Sequence, residues 1–171
     1  MSYDSRVETY KHIEQVRRFI QRAVKHLLHR AEVHDSSKLE SPEKEVFDEF
    51  TPKLAGSTYG SDEYKSFLAA MKPGLDHHYK HNQHHPEFYA TEFGEINPEL
   101  LHNGYAIRQM SLLDILEMLC DWKAATMRHN DGDILKSIEI NQKRFGYSDE
   151  LKSILLYTAK ELDFVATERA S

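Results

Sequence analysis

The 171-residue chain has a single cysteine, Cys120, which excludes an internal disulfide framework and fits a reducing compartment. Glycine (7) and proline (5) are too scarce for a turn-rich β fold. No apolar run approaches the ~20 residues of a membrane span, and residues 1–22 lack the apolar centre of a signal peptide. Cations are also short. The 22 Lys+Arg stand against 28 Asp+Glu, and a net charge of −6 argues against long nucleic acid or an anionic membrane as partner. What remains is 40% hydrophobic and 11% aromatic, enough for a real core. The expectation is a soluble cytoplasmic protein with one domain over residues 1–171, a length typical of one domain at ~100–200 residues. Against this background stand 11 histidines, five of them between positions 77 and 85.

Periodicity predicts an all-α bundle of about six helices. Residues 4–31 carry an apolar stripe of Ile13, Val16, Ile20, Ala23, Val24 and Leu27. A break follows over 33–39, and Ser41-Pro42-Glu43 then reads as a capped helix start whose helix ends near Thr51-Pro52. Residues 54–61 read as a loop, 62–71 as a helix, Pro73-Gly74 as punctuation and 75–82 as a further helix. The stretch 84–98 reads as irregular chain. Ser111 and Asp114 cap the strongest helix, 112–129, with Leu112, Ile115, Leu116, Leu119 and Trp122 on its apolar side. A C-terminal helical pair over 132–165, divided at Gly146, completes a fold whose core spans about 8–130.

Three features carry chemistry. In His34-Asp35-Ser36-Ser37-Lys38, adjacent His and Asp reach one metal only if the backbone leaves the helical path, because successive helical side chains diverge by about 100°. The predicted break lies there. Nitrogen and carboxylate donors together suit manganese, iron, cobalt, nickel or zinc, and admit magnesium. The cluster His77, His78, His81, His84 and His85 is denser than a solvated polar run needs. If helical throughout, it sets His77, His81 and His84 on one face and His78, Asn82 and His85 on another, with two or three of the five at a metal. Asp114, Glu117 and Asp121 line one side of a helix beside its apolar stripe. Asp114 reads as a helix-start acid. Glu117 reads equally as a rim ion pair or a site residue. Asp121, between Cys120 and Trp122, reads as a ligand, since an acid there is costly unless paired or metal-bound. His12 lies on the apolar line of the first helix and is expected to point inward.

In this order the pieces resemble the HD-domain superfamily of metal-dependent phosphohydrolases: His12, then His34-Asp35 with Lys38, then the 77–85 cluster, then Asp121. The combination of His-Asp-Ser-Ser-Lys, His-His-Pro-Glu and Cys-Asp-Trp looks most like an HD-like family of phages and bacteria. Two departures stand out. The common Asp-Ile-Gly-Lys tail is here Asp35-Ser36-Ser37-Lys38, and the histidines outnumber those of a usual HD site. The resemblance implies a helical fold and hydrolysis of a phosphate ester or anhydride. It implies one or two divalent ions held by His12, His34, Asp35, His78, His84, His85 and Asp121, with Asp35, Lys38 and Glu117 in catalytic roles.

The leading expectation is therefore a metal-dependent phosphohydrolase acting on a small phosphorylated metabolite, a nucleotide first among them. In it the metal acidifies water, and Lys38 meets the phosphate as a point charge. The alternatives are a non-catalytic metal- or nucleotide-binding module, and an interaction protein with decorative histidines. Self-association is left open.

Overall fold

Residues 6–33 alternate acids and bases at helical spacing. Glu8 pairs with Lys11, and Glu14 with both Arg17 and Arg18, one turn along the surface. They form α1 (Arg6–Val33) in the computed structural model, which describes residues 3–57, 61–128 and 132–165. The chain divides into two compact units, 1–34 and 35–171.

The first unit is α1. None of its residues is buried, and Ile13, Val16, Ile20 and Val24 of the expected stripe are exposed. His12, expected to point inward, is exposed as well. A single helix offers no second element within its own unit against which a stripe could be covered.

The second unit begins with a 3-10 turn (Ser36–Leu39), followed by α2 (Glu43–Gly56), α3 (Asp62–Ala70), α4 (Lys72–His81) and α5 (Pro86–Tyr89). A two-stranded antiparallel ribbon, β1 (Thr91–Glu92) and β2 (Glu95–Ile96), pairs Thr91 with Ile96 and Glu92 with Glu95. Then come α6 (Pro98–His102), α7 (Tyr105–Gln109), α8 (Leu112–Thr126), α9 (Ile134–Phe145) and α10 (Asp149–Glu161). The protein is all-α, but ten helices are described where about six were expected.

The differences have local causes. Pro73 does not break the chain, because a proline in the first turn of α4 gives up an N–H that has no helical partner. Gly74 faces α2 so closely that a Cβ there would stand 2.8 Å from Val46 Cβ. Pro52 lies inside α2, which continues to Gly56 and shortens the expected loop. Ser41 does not cap α2; Pro42 occupies the cap position without a side-chain bond. Residues 84–98 are not wholly irregular, since α5 and the ribbon lie within them. α10 ends at Glu161, short of 165. α8 ends at Thr126 with Met127 as its cap, short of the expected 129. His129 itself and the expected turn residue Asp131 lie outside the described residues.

Other signals operate as read. Ser111 and Asp114 form a reciprocal capping box on α8, Gly146 ends α9 in the left-handed region, and Ser148 caps α10. The core lies among α6 to α10. Met118, Leu119 and Trp122 of α8 pack with Ile107, Ile134, Ile138, Phe145 and Leu155, and Trp122 stacks on Phe145 at 6.2 Å. Leu112, counted with the apolar side, is 77% exposed at the helix start. With one face of α8 in the core, Glu117 and Asp121 lie on flanking positions, both half-buried.

Candidate metal centre

The chain leaves α1 through His34 (φ −50°, ψ 127°) and enters the left-handed region at Asp35 (φ 55°, ψ 15°). The backbone departs from the helical path at the His-Asp pair, where the break was expected. The 3-10 turn that follows returns Lys38 to Asp35, with Nζ 2.6 Å from Oδ2. Lys38 also lies over the Phe47 ring at 4.9 Å.

The other carboxylate oxygen, Asp35 Oδ1, faces imidazoles. It is 3.3 Å from His78 Nε2 and 3.4 Å from His84 Nε2, and His78 Nε2 is 2.9 Å from His85 Nε2. One donor atom from each of Asp35, His78, His84 and His85 falls within a group whose members all lie within 4.8 Å of one another. His78 and His84 are buried at 1% and 3% exposure. α4 ends at His81, so His84 and His85 return on the turn into α5 instead of continuing the helical faces. His84 therefore joins His78 and not His77.

Carboxylates hold the far sides of two rings. Glu43, fully buried at the start of α2, has Oε2 2.9 Å from His78 Nδ1 and Oε1 2.7 Å from His77 Nδ1, and its Oε2 accepts from Ser37 Oγ at 2.9 Å. Burial opposes the charge of Glu43, but the bonds from His77 and Ser37 and the nearby His78 hold its carboxyl below the usual range. An ionised Glu43 accepts, so His78 Nδ1 carries the proton and Nε2 presents a lone pair. Glu117 Oε1 stands 3.2 Å from His84 Nδ1 in the same relation. Carboxylates behind the outer nitrogens of convergent histidines are the arrangement that orients metal ligands. Burial first, and then Lys38, lowers the pKa of His78; burial, then His84 and His78, pushes that of His85 well down. Neutral imidazoles are the form that binds metal.

The donor set fits a divalent ion. Separations of 2.9–3.4 Å between neighbouring donors are those of nitrogen and oxygen ligands sharing an ion at ~2.0–2.2 Å. Asp121 extends the set, with a carboxylate oxygen within 4.8 Å of one of Asp35. It is half-buried and not deep in the core, since Cys120 beside it is exposed. Asp114 is taken up by its capping box and by the Tyr89 hydroxyl at 2.9 Å, as a helix-start acid. His77 stacks on His81 at 4.0 Å, on the far side of Glu43 from the donor atoms, and His81 is exposed. His34 is the last residue of the first unit, and His12 is in no ligating group among the described residues.

Sequence reasoning missed Glu43, Ser37 and Asn82. Glu43 was visible only as an acid in a first helical turn, which ordinarily complements the helix dipole. Asn82 bonds the His78 carbonyl at 2.8 Å and Ser37 Oγ at 3.1 Å, fastening the end of α4 to the 3-10 turn.

Fold and site together define an all-helical protein with a buried centre of imidazoles and carboxylates. A family model described as "Family of unknown function (DUF5662)" matches residues 1–166, and the chain belongs to that family. Neither the curated proteins nor the solved structures compared with the chain gave a match. Among the described residues no helix is long and apolar enough to cross a membrane.

Proposed function

We propose that the chain is a metal-dependent phosphohydrolase of HD-like type, acting on a small phosphorylated metabolite, nucleotides first. The observation that carries the reading is the convergence of Asp35 Oδ1 with the Nε2 atoms of His78 and His84 and with His85, two rings being backed by carboxylates. Asp35, His78, His84 and His85 hold the ion, and Asp121 is a further ligand. When bound, the ion supplies Lewis-acid polarisation of a phosphoryl oxygen and acidifies water. Glu43 and Glu117 position the rings of His78 and His84 by accepting their Nδ1 protons. Lys38 offsets the charge of Asp35.

Manganese, iron, cobalt, nickel and zinc suit this mixed donor set, with magnesium less favoured by three nitrogens. One specific observation favours the alternative of a non-catalytic binding module: Lys38, expected to face phosphate, is turned onto Asp35. Elemental analysis of the purified protein, followed by a panel of nucleoside mono-, di- and triphosphates with and without chelator, separates the readings. Bound metal with chelator-sensitive release of phosphate supports the hydrolase. Metal without turnover supports the module, and absence of metal overturns both.

A further inference from the structure

On the α5–α9 side of the unit, Arg144 Nη2 donates to Glu87 Oε1 at 2.6 Å. Glu87 is 2% exposed, and its other oxygen, Oε2, is buried without a hydrogen-bond partner among the described residues. Burial pushes the Glu87 carboxyl up, and Arg144 draws it back. Burying a carboxylate against one guanidinium contributes little net stability, because desolvation offsets the attraction. What the arrangement does provide is a fixed arginine. Its guanidinium lies over the Phe145 ring at 4.7 Å, and 47% of the side chain is exposed. Arginine has five N–H donors in a rigid fork, so the bond to Glu87 leaves an edge of the fork facing outward.

Tyr79 ties this arginine to the metal centre. Its ring meets that of His85 edge-on at 4.8 Å, and its hydroxyl lies in the fields of the Glu87–Arg144 pair and, more weakly, of Asp121. One phenol ring thus separates the guanidinium from a proposed ligand. Lys38, a cation at the centre itself, is held on Asp35. A phenol ring is wider than one phosphoryl group, so a phosphoryl group at the ion and an anionic group at Arg144 belong to different phosphates.

We infer that Arg144 and Tyr79 form an anion subsite beside the His85 edge of the centre, and that it selects substrates with two or more linked phosphoryl groups over monophosphates. The inference rests on the phosphohydrolase reading and narrows it to phosphoanhydrides. The first phosphoryl group lies at the ion, and the second is held by the arginine fork with the Tyr79 hydroxyl as an additional donor.

The test uses inorganic pyrophosphate and inorganic phosphate as probes in calorimetric titrations of the full-length protein loaded with Mn²⁺. Removing Arg144 alone strands Glu87, so the comparison is made between Glu87→Gln and Glu87→Gln/Arg144→Met, with Tyr79→Phe as a variant that keeps the ring. Wild type and Glu87→Gln are expected to prefer pyrophosphate at least tenfold. The double variant is expected to lose that preference at unchanged manganese content, and Tyr79→Phe to lose part of it. A wild type without the preference, or a double variant that keeps it, overturns the subsite. A protein that takes up no Mn²⁺ overturns the phosphohydrolase reading. Without an ion the first phosphoryl group has no site, so that outcome overturns the preference for linked phosphates as well, whereas a Mn²⁺-loaded wild type without the preference overturns the subsite alone.

Discussion

Glu43→Gln is the most informative perturbation of the centre, because it changes one proton-accepting oxygen and little volume. Glu43 accepts from His77, His78 and Ser37 while fully buried. An amide keeps one acceptor and turns the other position into a donor, so two imidazoles and a hydroxyl compete for a single oxygen. If the amide nitrogen faces His78, the ring shifts its proton to Nε2, the atom aimed at Asp35. Losing a partner behind a metal-ligating histidine costs typically 10–100-fold in metal affinity, or about 1.4–2.7 kcal/mol. A further ~1–3 kcal/mol of stability is lost for a buried donor left unsatisfied. Titration of Mn²⁺ or Zn²⁺ by calorimetry, with a thermal melt of the metal-free protein, reads both effects. A variant that binds metal as tightly as wild type would refute the role of Glu43 and weaken the tautomer assignment of His78.

Three other outcomes follow from the geometry. Lys38→Met removes a cation bonded to Asp35 Oδ2, so metal affinity is expected to stay the same or rise; a fall on titration would show that Lys38 positions Asp35 instead of competing for it. His78→Ala is expected to abolish stoichiometric metal uptake while His81→Ala, on an exposed ring stacked on His77, keeps it, and elemental analysis of the two side by side decides. Tyr147 donates to the Ile138 carbonyl at 2.5 Å from the core, and burial raises its hydroxyl pKa above the ordinary value of 10.0. A raised acid contributes stability that is present below the unfolded pKa and lost as pH rises toward the folded one. Stability above pH ~10 should therefore fall less steeply in Tyr147→Phe, which also costs about 1 kcal/mol at neutral pH; parallel alkaline profiles in urea melts would contradict this.

Much of the fold was legible wherever a helix is long enough to show a period or carries its own cap. α1 shows a period over 28 residues, and α8, α9 and α10 declare themselves through Ser111 with Asp114, Gly146 and Ser148. The helices α5, α6 and α7 have only four or five residues. At that length no stripe forms, and packing on neighbours decides the conformation. The candidate donors were legible as chemistry for three reasons: Asp35 from its place beside His34 at a break, His78, His84 and His85 from the density of the cluster, and Asp121 because an acid beside an apolar stripe is expensive without a partner. What the one-dimensional pattern did not contain was which partner each one has. Glu43 meets His77 and His78 across α2 and α4, and nothing local to either helix marks the pair. Nor could the periodicity of α1 tell an apolar stripe that is covered from one that is exposed, and His12 was misplaced for that reason.

Asp35 combines two demands that usually fall on different residues. Its left-handed backbone is one that glycine, asparagine and aspartate adopt at little cost and that a β-branched side chain resists. Its side chain meets two imidazoles through one oxygen and an ammonium through the other. Of the residues the backbone accepts readily, only aspartate supplies a negative charge and two equivalent acceptors. Asparagine preserves the turn but puts a donor against a cation or a ring nitrogen, and glycine preserves the turn with no chemistry at all. The turn and the centre can therefore be separated experimentally in one direction only. The conformation survives the loss of the carboxylate, whereas a carboxylate on a longer side chain, as in glutamate, would displace the oxygens from the rings and strain the turn as well.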